Sequence, residues 1–166
     1  MNELRWWLLQ RRLKCIQLLV LDGDGDDPIK LFIDSPGGDA DAGYAIFDMI
    51  RFVSAPVYTI SNGLTASAGV IIALAAKKEH RFSLPNSRWL IHQPSSGMMG
   101  VASDIKIHAE EIIKLKRRIN ELISDETGQS IESVEKDTDR DRWLSPEDAL
   151  EYGLVCKVVT NRSELP

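Results

Sequence analysis

Three residues that lie far apart in the chain, Ser67, His92 and Asp141, are of the types that together cleave acyl bonds. A serine hydroxyl is a weak nucleophile until an imidazole takes its proton. The imidazole in turn needs a carboxylate that fixes its tautomer and stabilises its charged form. The three residues could act together only if the fold brings them to one place.

Ser67 lies in the segment NGLTASAG, residues 62–69, just before the apolar run 70–76. Its small neighbours leave space around the hydroxyl, and a helix starting there would direct its positive dipole end at a developing oxyanion. The alternative is a structural one, in which the Ser67 hydroxyl caps this helix by accepting a backbone N–H. The segment is not the Gly-x-Ser-x-Gly elbow of α/β-hydrolases, so both interpretations stay open.

The segment SPGG, residues 35–38, predicts a sharp turn. One interpretation is a simple tight connection. The other is that glycine lets the backbone approach a ligand closely and direct a free N–H at it. In that case the backbone N–H groups of Gly38 and Ala68 are the predicted donors of an oxyanion hole. Removing one such donor typically costs about 3 kcal/mol of transition-state stabilisation.

His92 differs from the other two histidines because it directly follows an apolar strand-like segment and precedes Gln-Pro. His80 and His108 lie among charged residues, and we predict both at the surface. His92 is expected at a sheet edge, either as a structural residue or as a general base. Asp141 lies in the charged run 137–143, which is also typical of a solvated surface. The sequence alone does not select Asp141 over Asp137 or Asp139.

The elements predicted to position these residues alternate between strands and helices, which indicates a single α/β domain with parallel crossovers. The predicted helices cover 4–21, 42–53, 67–76, 103–125 and a segment from Ser145 to Gly153. The predicted strands cover 29–33, which we expect to be buried, 57–60, 81–82, 89–91 and 154–159. Acidic loop 22–28 and a turn at Asn62-Gly63 connect them.

The helix predicted over 103–125 carries an apolar stripe at Ile105, Ala109, Ile112, Ile119 and Ile123. At 1.5 Å per residue it would run roughly 30 Å or more, which is the width of a small domain. We expect this helix to project and to pack against another subunit. The alternative is a long helix that lies on its own core.

Composition excludes several classes of function. The chain has 166 residues and a net charge of −5, which argues against a nucleic-acid binder with a basic face. No segment approaches the roughly 20 apolar residues of a membrane span, and the run Trp6-Trp7-Leu8-Leu9 is too short for a signal peptide. Cys15 and Cys156 form neither a metal-spacing pattern nor a disulfide framework. We expect a soluble, cytoplasmic protein with reduced thiols and no metal site.

Six segments, taken together and in this order, resemble the ClpP family, the proteolytic subunit of the ATP-dependent Clp protease. They are IDSPGG (33–38), ASAG (66–69), LPNSR (84–88), IHQP (91–94), TGQS (127–130) and DRDRWLS (139–145). The likeness runs from about residue 15 to residue 160. It implies a crotonase-like α/β fold of repeated β-β-α units with a protruding handle helix. It also implies that Ser67 is the nucleophile, His92 the general base, Asp141 the third triad member, and Gly38 and Ala68 the oxyanion-hole donors.

The resemblance further implies an assembly of stacked heptameric rings, a tetradecamer, which cleaves unfolded chains inside a closed chamber. An AAA+ unfoldase that uses ATP would feed the chamber. This subunit itself would need no cofactor, and no Walker-type loop is present in it.

The chain departs from the family pattern at two places. Residues 1–166 would form one peptidase domain from which the N-terminal axial loop and the first strand are missing. Ala68 stands where many members have methionine, although the predicted role needs only its backbone N–H. Two other functions remain as alternatives: a catalytically silent ring subunit that assembles with an active paralogue, and a crotonase-type acyl-CoA enzyme that would not need the three triad residues together.

Overall fold

The structure is a computed structural model, and it describes residues 28–166. The predicted helix 4–21, the acidic loop up to residue 27, and the residues Trp6, Trp7 and Cys15 lie outside the described residues.

Six strands form one mixed sheet, and its helices complete the predicted α/β architecture. The strands are β1 (Ile29–Ser35), β2 (Val57–Ala66), β3 (Arg81–Ser83), β4 (Arg88–Ile91), β5 (Arg142–Leu144) and β6 (Lys157–Val158). The strand order is β5-β4-β2-β3-β6, and β1 also pairs with β2. Every pairing is parallel except that of β4 with β5. The predicted burial of the first strand is wrong in part, because only Ile33 of β1 is buried.

Strand β2 is much longer than predicted, because the chain does not turn at Asn62-Gly63. Residues 59–61 pair with β3, whereas residues 64–66 pair with β4, so the strand changes partners between them. Gly63 has a φ of 95° at this point, and the Leu64 N–H donates to Asp34 Oδ1 at 2.9 Å. Since the Asp34 carboxylate accepts this bond, the strand bends there without reversing its direction.

Helices α1 (Ala40–Phe52) and α2 (Ala68–Leu74) pack on one another, and every residue of α2 is buried. A Cβ atom on Gly43 would lie 3.3 Å from Ala68 Cβ, which shows how closely the two helices approach. The buried face of α1 therefore centres on Gly43, Ile46 and Ile50. Met49, an apolar residue of the same helix, is exposed.

The long helix is α3 (Ala102–Thr127), and it ends at Gly128, which has a φ of 85°. Its 26 residues make it about 39 Å long. The predicted stripe enters the core only at Ile119 and Ile123, because residues 101–111 are all exposed. The N-terminal half of α3 thus projects from the body, as expected.

The C-terminal part contains two further helices. Helix α4 (Ile131–Thr138) was not predicted, because most of its residues are polar and only Val134 and Thr138 are buried. Helix α5 (Pro146–Tyr152) begins with a capping box between Ser145 and Asp148, which confirms the predicted start. The predicted strand 154–159 is reduced to β6, although Leu154 and Val155 are buried.

The buried guanidinium of Arg81 forms hydrogen bonds to the C-terminal ends of both α2 and α3. The Arg81 side chain is 1% exposed and donates to the carbonyl oxygens of Leu74, Ala76 and Glu126. It also forms an ion pair with the Glu126 carboxylate. Burial lowers the pKa of Arg81, and the bond to Glu126 opposes that shift. The handle helix α3 is therefore anchored to the core at its C-terminal end.

Of the two histidines predicted at the surface, His108 is exposed and His80 is not fully so. His80 is half-buried rather than fully solvated, because its ring packs against Tyr58 with 4.2 Å between ring centroids. Cys156 is a free thiol, and burial raises its pKa. Within residues 28–166, no helix has both the length and the apolar character needed to span a membrane.

Candidate active site

Ser67 lies at the sharp junction between β2 and α2. Its φ of 54° and ψ of −119° make it the one non-glycine residue with positive φ in the described part of the chain. Such a conformation typically costs about 1–3 kcal/mol and is characteristic of functional sites. The Ser67 hydroxyl makes no capping hydrogen bond. The capping interpretation is therefore wrong, and the hydroxyl is available for chemistry.

The parallel pairing of β2 with β4 brings His92 to the same sheet edge as Ser67. Ala66 lies opposite Leu90, and the Ser67 N–H donates to the Leu90 carbonyl at 3.0 Å. His92 is the first residue after β4. Because the carboxyl ends of parallel strands meet at one edge, the two residues leave the sheet side by side.

The antiparallel pairing of β4 with β5 brings Asp141 to His92. Ile91 lies opposite Arg142, so the next pair beyond the ladder is His92 and Asp141. His92 Nδ1 lies 3.5 Å from Asp141 Oδ1, which is longer than a hydrogen bond but within ion-pair distance. Since Nδ1 faces the carboxylate, Nε2 is the ring nitrogen left for Ser67. Among residues 28–166, no hydrogen bond joins the Ser67 hydroxyl to the imidazole.

The three neighbouring aspartates, which residue type and charge alone do not separate, have different partners. Asp137 forms an ion pair with Arg142 and accepts a hydrogen bond from Tyr152 Oη at 3.0 Å. Burial and this hydrogen bond raise the pKa of Tyr152. Asp139 has Lys116 as its nearest cation, at 3.7 Å. Only Asp141, of the three, lies against His92.

The predicted oxyanion donors, Gly38 and Ala68, are each next in sequence to a residue at this junction: Gly38 follows Gly37, and Ala68 follows Ser67. A Cβ atom on Gly37 would be 2.6 Å from Ser67 Cβ, so the 36–38 turn packs directly against the serine. The Gly37 N–H donates to Ser35 Oγ at 3.2 Å, whereas the Gly38 N–H has no acceptor within residues 28–166. Ala68 is the first residue of α2, where backbone N–H groups have no intrahelical partner.

An open cleft of about 570 Å³ borders the imidazole and the carboxylate. Its lining residues are His92, Gln93, Pro94, Ser95, Asp139, Arg140 and Asp141. Gln93 Nε2 donates to the Asp139 carbonyl at 2.6 Å. This hydrogen bond joins the two segments that line the cleft, residues 92–95 and 139–141. Within the described residues, no cluster of three or more His, Cys, Asp or Glu side chains has the geometry of a metal site.

Two residues that shape this site, Gly37 and Gln93, were not predicted from the sequence. Gly37 leaves room for Ser67, but the SPGG segment drew attention to Gly38 instead. Gln93 fastens the segment that carries Asp141, and its position next to His92 was the available signal. Both roles depend on contacts between distant segments.

The Clp protease family model matches residues 10–162. The chain belongs to the Clp protease family. Two similar curated proteins of this family are ATP-dependent Clp protease proteolytic subunits. Subunit 2 from Treponema denticola is 58% identical over 151 residues, which are 90% of this chain and 76% of that protein. Subunit 3 from Rhizobium meliloti is 52% identical over 91% of this chain and 77% of that protein.

A similar solved structure in the Clp protease family is a point mutant of ClpP1 from Listeria monocytogenes. It has a TM-score of 0.83 and 49% identity, and the match covers 90% of this chain and 84% of that one. The predicted family and fold, with its long handle helix, are thereby confirmed. The enzyme class predicted from the sequence, a Clp-type serine peptidase, is confirmed as well.

Proposed function

We propose that this chain is a serine endopeptidase in which Ser67 is the nucleophile, His92 the general base and Asp141 the orienting carboxylate. One observation carries the proposal: two strand pairings bring all three residues to one edge of the sheet. Membership of the Clp protease family supports it.

The proposed reaction has two stages. His92 Nε2 takes the proton of Ser67, and the serine oxygen attacks the carbonyl carbon of a peptide bond. The amide N–H groups of Gly38 and Ala68 hold the tetrahedral oxyanion. His92 then gives its proton to the leaving amine, and water hydrolyses the acyl-enzyme by the same route.

In this proposal the described geometry corresponds to the site without substrate. The His92–Asp141 contact is loose, and the Asp141 side chain is 64% exposed. In this proposal the Ser67–His92 hydrogen bond forms when substrate fills the cleft, because catalytic hydrogen bonds often tighten only in the complex.

The proposal extends to assembly. The projecting half of α3 exposes apolar side chains at Ile105, Ile107 and Ile113, and Val101 is exposed just before the helix. Water-exposed apolar side chains on a projecting helix favour burial against another copy of the chain. We therefore propose stacked heptameric rings, a tetradecamer, with these handles between the rings and the active sites inside the chamber.

The relatives' names point to the partner. Since they are proteolytic subunits of an ATP-dependent protease, we propose that a separate AAA+ unfoldase uses ATP and feeds unfolded proteins to this subunit. The subunit itself then works without a cofactor. We place this proteolysis in the cytoplasm.

The test is Ser67→Ala. We expect the variant to lose hydrolysis of short fluorogenic peptides and labelling by a fluorophosphonate, while sedimenting like the wild type. The control is Ser54→Ala, which changes an exposed serine outside the site. Equal labelling of Ser67→Ala and wild type would reject the assignment.

A second function is a ring subunit that is catalytically silent and assembles with an active paralogue. The missing Ser67–His92 hydrogen bond and the exposed Asp141 favour it. Purified protein that forms rings but neither hydrolyses peptides nor reacts with the fluorophosphonate would support this function instead.

A further inference from the structure

Asn120 of the handle helix is an amide buried in the core next to the active-site segment. It is 1% exposed and lies on the same helix face as Ile119 and Ile123. A buried amide is costly unless it is hydrogen-bonded. The hydrogen bonds of the Asn120 amide therefore decide whether its burial stabilises the fold.

Asn120 contacts Thr138, the last residue of α4, which is itself fully buried. Thr138 Oγ1 lies 2.9 Å from Asn120 Oδ1 and 2.9 Å from the Val134 carbonyl, while Asn120 Nδ2 has no partner in the described part of the chain. A hydroxyl has one hydrogen and cannot donate to both oxygens. With the amide in the opposite orientation, Nδ2 donates to Thr138 and Thr138 donates to Val134. That orientation satisfies both donors, so Asn120 holds Thr138 from the handle side.

Thr138 in turn holds the residues next to the imidazole and the carboxylate. Its carbonyl accepts the Gln93 N–H at 2.6 Å, and Gln93 directly follows His92. Three residues after Thr138 comes Asp141, which is mostly exposed and only 3.5 Å from His92. An exposed ion pair contributes little by itself, so the backbone that carries Asp141 must be fixed elsewhere.

We propose that Asn120 is a positioning residue for the His92–Asp141 pair: through Thr138 it fixes the 138–141 segment against residues 92 and 93. This inference rests on the proposed function and names a residue of the handle helix that serves catalysis without touching substrate. It predicts that removing the Asn120 amide slows the chemical step more than it weakens substrate binding.

The experiment compares Asn120→Leu with Thr138→Val and Thr138→Ser, using only protein that sediments like the wild type. We expect Asn120→Leu and Thr138→Val to lower kcat for a short fluorogenic peptide about tenfold, with KM changed less than about twofold. Thr138→Ser keeps the hydroxyl and is expected to restore most of kcat. The control is Thr127→Val, which removes a buried threonine hydroxyl at the other end of the buried part of α3, away from the site.

A double-mutant cycle decides whether Asn120 acts through the carboxylate. Asp141→Asn alone is expected to label slowly with the fluorophosphonate. Adding Asn120→Leu to it should not lower the labelling rate further, because both substitutions remove the same function, the orientation of His92 by the Asp141 carboxylate. Equal loss in Thr127→Val and Asn120→Leu would overturn the proposal, and so would independent, multiplying effects in the cycle. Failure of the proposed function would look different, since wild-type protein itself would then show no Ser67-dependent labelling.

Discussion

Gly37 and Ser67 are in such close contact that no side chain fits between them. A Cβ atom on Gly37 would lie 2.6 Å from Ser67 Cβ and 3.2 Å from Ser67 Oγ. The loop after β1 is therefore shaped around the proposed nucleophile.

We expect Gly37→Ala to abolish peptidase activity, because the new methyl group must displace Ser67 or the 36–38 loop. Its φ of 94° adds backbone strain, so a control for strain is needed. Gly128→Ala supplies it, since Gly128 has a φ of 85° but open space around it. Fluorophosphonate labelling per folded protein measures the difference. Equal labelling of the two variants would mean that the Gly37–Ser67 contact is unimportant.

Asp141 and Asp137 should show opposite phenotypes. Asp141→Asn should lower kcat at least about 100-fold with little loss of stability, because the carboxylate is mostly exposed yet faces His92. Asp137→Asn should instead destabilise the fold by about 1–3 kcal/mol, since it weakens the contacts with Arg142 and Tyr152. Urea unfolding and peptide hydrolysis, measured on both variants, test this. If Asp137→Asn folds but is inactive while Asp141→Asn stays active, then Asp137 is the orienting carboxylate and the assignment of Asp141 is wrong.

Arg81→Met should destabilise the protein by about 3 kcal/mol or more. The substitution removes the buried donor of three carbonyl groups and of the Glu126 carboxylate. Of these acceptors, the Leu74 carbonyl and the Glu126 carboxylate keep a contact with Arg51. Replacing Glu126 as well, as Arg81→Met with Glu126→Gln, should recover part of the loss. Arg117→Ala breaks an exposed ion pair with Glu121 on α3, the helix that carries Glu126. This control should leave the unfolding transition unchanged. Urea unfolding at fixed protein concentration provides the measurement, and an Arg81→Met transition like that of Arg117→Ala would contradict the anchoring role.

The projecting half of α3 should control assembly. We expect Ile107→Glu and Ile113→Glu to shift the protein to smaller species, because a charge would replace an apolar side chain buried between subunits. Lys106→Glu changes an exposed position of the same segment and should have a smaller effect. Analytical sedimentation compares the three variants. Unchanged large species in both isoleucine variants would show that the handle does not join subunits.

The sequence alone identified the elements with strong local signals. The helix from Ser145 to Gly153 was predicted correctly, because the Ser145–Asp148 capping box starts it through local backbone chemistry. Helix α4 was missed because its polar residues hide a core contact made by only Val134 and Thr138. The turn predicted at Asn62-Gly63 was wrong because Asp34, a residue on another strand, stabilises a bend there.

Residue types and motifs were enough to nominate Ser67, His92 and Asp141, since each stands at the end of a predicted element or in a distinctive segment. Residue type and charge did not separate Asp141 from Asp137 and Asp139, and before the structure only the family resemblance pointed to Asp141. The tertiary structure supplies the physical reason, because strand register decides which carboxylate lies opposite His92. Only the tertiary structure pointed to Gly37 and Asn120. Their importance comes from contacts between segments that are distant in sequence, and local sequence carries no record of such contacts.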